Sequence, residues 1–228
     1  MPMNAPQPWL PAAIGLLDVR REDRVLACDV GTAAARELAT LVGKDGELVV
    51  ACEPEAARQL AALDLPQARV LSHQLLGDER FGSFDALLVA TGTGPLLPLG
   101  AYGNLARSNL RPGGRLVLDL PGSVMVPDLA KAWLALGWSK ERLRPLVGLA
   151  DDALAESLRN AGLRNVHSVL GAHLLHVPTP GDLVAAFATV LGLDDTEALQ
   201  LTHQLVREKG GTGPLDVLVH RTRVSALR

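Results

Sequence analysis

The residues best placed to do chemistry lie between Arg24 and Glu55, in the stretch RVLACDVGTAAARELATLVGKDGELVVACEPE. A short apolar run, Arg24 to Cys28, leads into Asp29, and Gly31 stands in the turn that follows. A second apolar run, Glu47 to Cys52, ends at Glu53. A glycine in the turn after a strand lets a ligand approach the backbone. An acidic residue closing the next strand can accept hydrogen bonds from both hydroxyls of a ribose. The same residues have plainer readings. Glu53-Pro54-Glu55 also suits a helix start with proline at its first position, and Gly31 also suits an ordinary tight turn. Elsewhere the chemistry thins out. No Ser-His-Asp order, paired carboxylates, phosphate-loop Gly-Lys or zinc-type Cys/His spacing is apparent in the chain.

The elements that must position these residues alternate between short apolar strands and helical patterns, the signature of βαβ units and a parallel sheet. A lead-in helix is expected over Trp9–Asp18. Strands are expected at Arg24–Cys28, Glu47–Cys52, Ala68–Ser72, Phe84–Ala90 and Arg115–Leu120. Helices are expected between them at Thr32–Leu41, Glu55–Leu63 and Leu99–Leu110, and the Pro112-Gly113-Gly114 turn introduces the fifth strand. The second half is less regular. Helices are expected at Val126–Leu136, Asp151–Ala161, Asp182–Leu191 and Thr196–Glu208. Strands are expected at Asn165–Val177, bent at Gly171, and at Leu215–Thr222. The sum is a doubly wound, mostly parallel seven-stranded α/β sheet with helices on both faces. We read residues 1–228 as one domain: a lead-in to residue 23, a ligand-binding half over 24–122 and a second half over 123–228.

The order of these features resembles the class I, Rossmann-like, S-adenosylmethionine-dependent methyltransferases. Arg24–Glu55 is similar to that family's glycine-rich first motif and the acidic residue of the next. GSFDALLVA (Gly82 to Ala90), LRPGGRLVLDLPG (Leu110 to Gly122) and LRNAGLRNVHSV (Leu158 to Val169) resemble its entries to strands 4, 5 and 6. VPTPGDLVAAFATV resembles a helix found after strand 6 in some small-molecule methyltransferases. The resemblance spans about residues 15–225. It implies S-adenosylmethionine as cofactor, S-adenosylhomocysteine as product, and a small-molecule methyl acceptor. It implies a cofactor site of Asp29, Gly31, Thr32, Glu53, Gln74 and Ala90. Gln74 falls where the family often has an acidic residue meeting the adenine, and its carbonyl can accept from an amino group. No catalytic residue follows, because a sulfonium is an activated donor and the protein mainly positions and desolvates it.

The first motif departs from the family pattern. With Gly31-Thr32-Ala33 set against the final Gly-Thr-Gly, Ala27 takes the place of the acidic residue, Asp29 that of the first glycine and Ala33 that of the last. A register that makes Asp29 the acidic residue shortens the distance to Leu38-Ala39 by about two residues, so the first is preferred. Asp29 then puts a carboxylate where backbone should pass close to the ligand and near the cofactor's own carboxylate, a like-charge contact. Asp tolerates the left-handed backbone such a turn uses. These departures favour a rival reading, a non-catalytic binding or scaffold protein on the same fold.

The remaining candidates are weaker. Thr91-Gly92-Thr93-Gly94 lacks a third glycine, and is expected to line the acceptor region or simply to connect. His173 and His176, three apart on a strand, face opposite sides and do not suit a shared metal. His73 follows strand 3 near the expected adenine side. Cys28 and Cys52 sit in apolar runs and are expected to be reduced core thiols. The mixed-charge runs Arg20–Arg24 and Lys140–Arg142 are expected to be solvated, and Trp133 and Trp138 to be core or interface residues. A net charge of −3 and only seven aromatic residues (three Trp, one Tyr, three Phe) argue against nucleic acid as partner. No apolar stretch reaches the roughly 20 residues of a membrane span, and the Pro-rich start lacks the order of a signal peptide. A cytoplasmic location is therefore expected, and a homodimer stays open.

Overall fold

The computed structural model describes residues 9–92 and 97–228. The expected strands form one seven-stranded sheet in the order β3-β2-β1-β4-β5-β7-β6. They are β1 (Arg24–Cys28), β2 (Glu47–Cys52), β3 (Ala68–Ser72), β4 (Phe84–Ala90), β5 (Leu110–Pro121), β6 (Arg164–Val177) and β7 (Leu215–Leu227). The five strands from β3 to β5 are parallel, while β7 runs antiparallel to both β5 and β6.

Side-chain alternation sorts the strands' residues onto two cores. Val25, Ala27, Leu48, Val50, Cys52, Leu88 and Val217 face one. Leu26, Cys28, Val49, Ala51, Leu87, Leu118 and Val224 face the other. Strands buried on both sides have no room for polar alternation, which is why β4 is apolar almost throughout. The first face is covered by α1 (Leu10–Leu17), α2 (Thr32–Val42), α3 (Pro54–Ala61), α5 (Pro127–Ala135), α7 (Pro180–Leu191) and α8 (Asp195–Lys209). The second is covered by α4 (Leu99–Asn109) and α6 (Asp151–Asn160). Each fully buried leucine on these faces contributes about 1.5–3 kcal/mol.

The β3–β4 crossover, residues 73–83, contains no helix. It crosses the second face as an irregular segment, with Leu75 in the core there and Phe81 packed against it. Asn109 straps it down, accepting from the Phe81 N–H at 2.6 Å and donating to the Glu79 carbonyl at 2.7 Å.

Several bounds differ from those expected. β5 starts at Leu110, because the Pro112–Gly114 turn is a bulge inside the strand. Pairing shifts register between Phe84↔Leu110 and Ala86↔Arg115, and Gly113 has φ +79°. β7 runs on to Leu227, because Arg221 and Arg223 point at a buried carboxylate instead of ending the strand in water. A 3-10 helix occupies Lys140–Leu146. The two mixed-charge runs are not simply solvated. Asp23 is buried and paired with Arg115, Arg24 pairs with Glu47 and lies over Phe84, and Arg142 pairs with Glu197 and lies over Trp133. The Arg142 guanidinium holds the Glu197 carboxyl down at about 2. Cys28 and Cys52 are buried free thiols, and Trp133 packs edge-to-face on Trp138. Among the described residues, no helix is long and apolar enough to cross a membrane.

Candidate functional site

The chain runs from β1 outward through β2 to β3, with α2 and α3 on the first face. It then jumps to β4 and reaches β5 through α4 on the second. The order therefore reverses between β1 and β4, and the carboxyl ends at such a switch point are where a doubly wound sheet usually forms its ligand crevice.

Asp29 is the first residue beyond β1. Its N–H continues the ladder to the Ala51 carbonyl at 3.0 Å, and its φ of 57° turns the chain sharply toward α2. Gly31 is the N-cap of α2 and offers no side chain to the helix's first N–H groups. Its carbonyl accepts from the Ala35 N–H, and Thr32 is the first residue of the helix. One strand over, Glu53 is the N-cap of α3, with Pro54 following. Its side chain makes no capping bond and is exposed, so the helix-start reading and an available carboxylate hold together.

A third carboxylate, Glu79, comes from the β3–β4 segment. It accepts from the backbone N–H groups of Leu76 and Gly77 and from His73 Nε2. Burial pushes its carboxyl up, but these bonds outweigh burial and hold it below the usual carboxylate range. The His73 ring meets Phe81 edge-on at 5.7 Å. Gln74, next to it, is exposed. Asp29 feels Glu53 and Glu79. Burial first, then Glu53 and then Glu79 push its carboxyl up to about 6. Asp29, Gly31, Thr32 and Glu53 thus share one rim, with Gln74 beyond β3. Ala90 ends β4 on the far side, where Val89 pairs with Cys28 of β1. Thr91 and Gly92 continue past it, and Thr93 and Gly94 lie outside the described residues. Among the described residues, no group of acids, histidines and cysteines suits a metal.

The second feature of the crevice was not foreseen from sequence. Asp119, fully buried near the carboxyl end of β5, is held by two arginines of β7. Arg221 Nε donates to its Oδ1 at 2.7 Å, and Arg223 donates twice to Oδ2. Arg221 also reaches the carbonyls of Thr91 and Gly92, and Arg223 that of Trp9. The Trp9 indole lies 5.1 Å from the Arg221 guanidinium and 6.3 Å from the His173 ring. His173 therefore faces the α1 side, whereas His176 pairs with Asp216 in the exposed part of the ribbon. The signal was a lone Asp inside an apolar run with two arginines spaced two apart, on one face of a strand.

Solved S-adenosylmethionine-dependent methyltransferases are similar to this chain in fold. The solved structures similar to it include the YcgJ protein from Bacillus subtilis, at TM-score 0.68 and 12% identity over 96% of this chain and 97% of that one. A putative methyltransferase from Bacillus halodurans matches at TM-score 0.61 and 10% identity over 97% and 99%. Aeropyrum pernix fibrillarin, solved with natively bound S-adenosyl-L-methionine, matches at TM-score 0.52 and 15% identity over 95% and 73%. At these identities the likeness is one of fold. No family model and no curated protein sequence matches the chain.

Proposed function

We propose that the chain binds S-adenosylmethionine at the carboxyl ends of β1, β2 and β4 and transfers its methyl group to a small-molecule acceptor. The observation that carries this is the exposed Glu53 carboxylate, free of any capping bond, beside the glycine N-cap of α2, at the switch point of a doubly wound sheet. The residues present fit the group. Its ribose diol and ammonium need acceptors, which Glu53 and Asp29 supply. Its carboxylate needs donors, which the first N–H groups of α2 supply. Glu53 would hold the ribose, Gln74 the adenine, and Asp29, Gly31, Thr32 and Ala90 the methionyl part. When bound, the sulfonium supplies an activated methyl group, so the chain's own task is to orient it and keep water out. A small acceptor accords with the chain's net charge of −3.

Asp29 favours one second reading, a non-catalytic relative with a weakened site, since its carboxylate stands where the family has a bare glycine. Calorimetric titration with S-adenosylmethionine and S-adenosylhomocysteine separates the two. Micromolar binding is expected. Glu53→Ala should weaken it by about 10- to 100-fold, the worth of hydrogen bonds to a charged group. Folded protein that binds neither compound at millimolar concentration overturns the proposal.

A further inference from the structure

We propose that Arg221 is a positioning residue of this site, fixing the Thr91–Gly92 corner at the end of β4 in its ligand-receptive form. The inference rests on the cofactor reading above. The β4–β5 ladder stops at Ala90↔Asp119, so the next two carbonyls of β4 have no strand partner. Arg221 takes that place from across the sheet. Nη2 donates to the Thr91 carbonyl at 2.6 Å and Nη1 to the Gly92 carbonyl at 3.3 Å. Its own position is overdetermined. Nε is held by Asp119 Oδ1 and Nη2 by the Asp119 carbonyl, both at 2.7 Å, and the Trp9 indole covers one face of the guanidinium. Four of its five N–H donors are thus used. With 1% of its surface exposed, it does not itself touch a ligand in the crevice.

The consequence is directional. Two successive carbonyls drawn toward β7 leave the corner's peptide planes one orientation, opposite the Asp29–Gly31 turn of the neighbouring β1. A planar fork is needed for two carbonyls and a carboxylate at once, and a lysine ammonium cannot reproduce it. Asp119 serves as counter-ion and Arg223 holds the other side of that carboxylate, tying in the Trp9 carbonyl.

The test compares wild type, Arg221→Lys, Arg221→Ala and Leu205→Ala. The last is a buried α8 change that destabilises without touching the corner. Affinity for S-adenosylmethionine is read by calorimetry, melting temperature by circular dichroism, and amide exchange at 91–92 by mass spectrometry. Arg221→Ala should bind about tenfold or more weakly. Its 91–92 amides should exchange faster, and millimolar guanidinium chloride should restore affinity. Arg221→Lys should not recover it, and Leu205→Ala should lose stability but not affinity. If Arg221→Ala fails to fold, the neutral pair Asp119→Asn/Arg221→Met takes its place, with the same expected loss. Wild-type affinity in a folded variant lacking the guanidinium overturns the proposal. If wild type binds no S-adenosylmethionine, the cofactor reading fails, and unchanged exchange at 91–92 then overturns the clamp separately.

Discussion

Asp29→Asn should stabilise the protein at neutral pH and leave it unchanged in acid. The Asp29 carboxyl is largely withdrawn from water, faces Glu53 and Glu79, and has its ionisation pushed from 3.8 up to about 6. In the unfolded chain it ionises near its ordinary value, so between about pH 4 and pH 6 the folded state binds more protons. Stability is then fully present below about pH 4, falls as pH rises through 6, and is level above. About two decades in proton affinity, at about 1.4 kcal/mol each, correspond to about 3 kcal/mol; residual solvent contact screens this to about 2 kcal/mol. Asn matches the shape and tolerates the left-handed φ of 57°, so the substitution removes the charge alone. For a chain of this length the gain is about 4–8 °C in melting temperature at pH 7.5. Thermal unfolding from pH 4 to 8 at constant ionic strength measures it. Wild-type and variant curves that run parallel across this range would refute the reasoning, since a solvated Asp29 gives no pH-dependent difference.

Three further outcomes follow from the packing. Asp119→Ala leaves Arg221 buried without its carboxylate, which should cost about 3–5 kcal/mol in urea unfolding, far more than any surface ion pair here. Gly148→Ala should cost about 3 kcal/mol or displace the segment before α6, because a Cβ there would overlap the Pro121 carbonyl oxygen. Cys28 and Cys52, at 0% and 1% exposure and with thiols pushed up chiefly by burial, should be silent to a disulfide reagent until guanidinium unfolds the chain; native-state labelling would show the central strands opening locally.

The parallel half of the sheet was readable because its strands are short, apolar and separated by helices. The expected bounds of β1, β2, β3 and β4 coincide with those observed. Misreadings came where a local signal was overridden from a distance. Pro112-Gly113-Gly114 looks like a turn, yet it bulges inside β5 because Leu110 still finds Phe84 across the ladder. Arg223 falls past the expected strand end at Thr222, yet Asp119, far back in the chain, accepts from both it and Arg221. Glu79 carried no signal at all. Its placement depends on two backbone N–H groups in an irregular segment, which residue types do not encode.

The departures in the glycine turn make physical sense together. Ala27 is fully buried in β1, where an ionised carboxylate would lack both water and a partner. Two residues further on, Asp29 is only partly withdrawn from water and has its carboxyl pushed up to about 6, at the edge where a ligand would sit. The left-handed conformation that a glycine would adopt freely there is one that Asp can also hold, at about 1–2 kcal/mol. The turn is therefore kept while its charge changes. An acidic rim of Asp29, Glu53 and Glu79 suits a ligand with a positive centre, and it suits that ligand better once Asp29 ionises. Affinity for S-adenosylmethionine should accordingly rise from pH 5 to pH 7 in wild type, relative to its uncharged-sulfur product, and this dependence should flatten in Asp29→Asn. Titrating both compounds at the two pH values measures it, and equal selectivity at both would place the sulfonium away from Asp29.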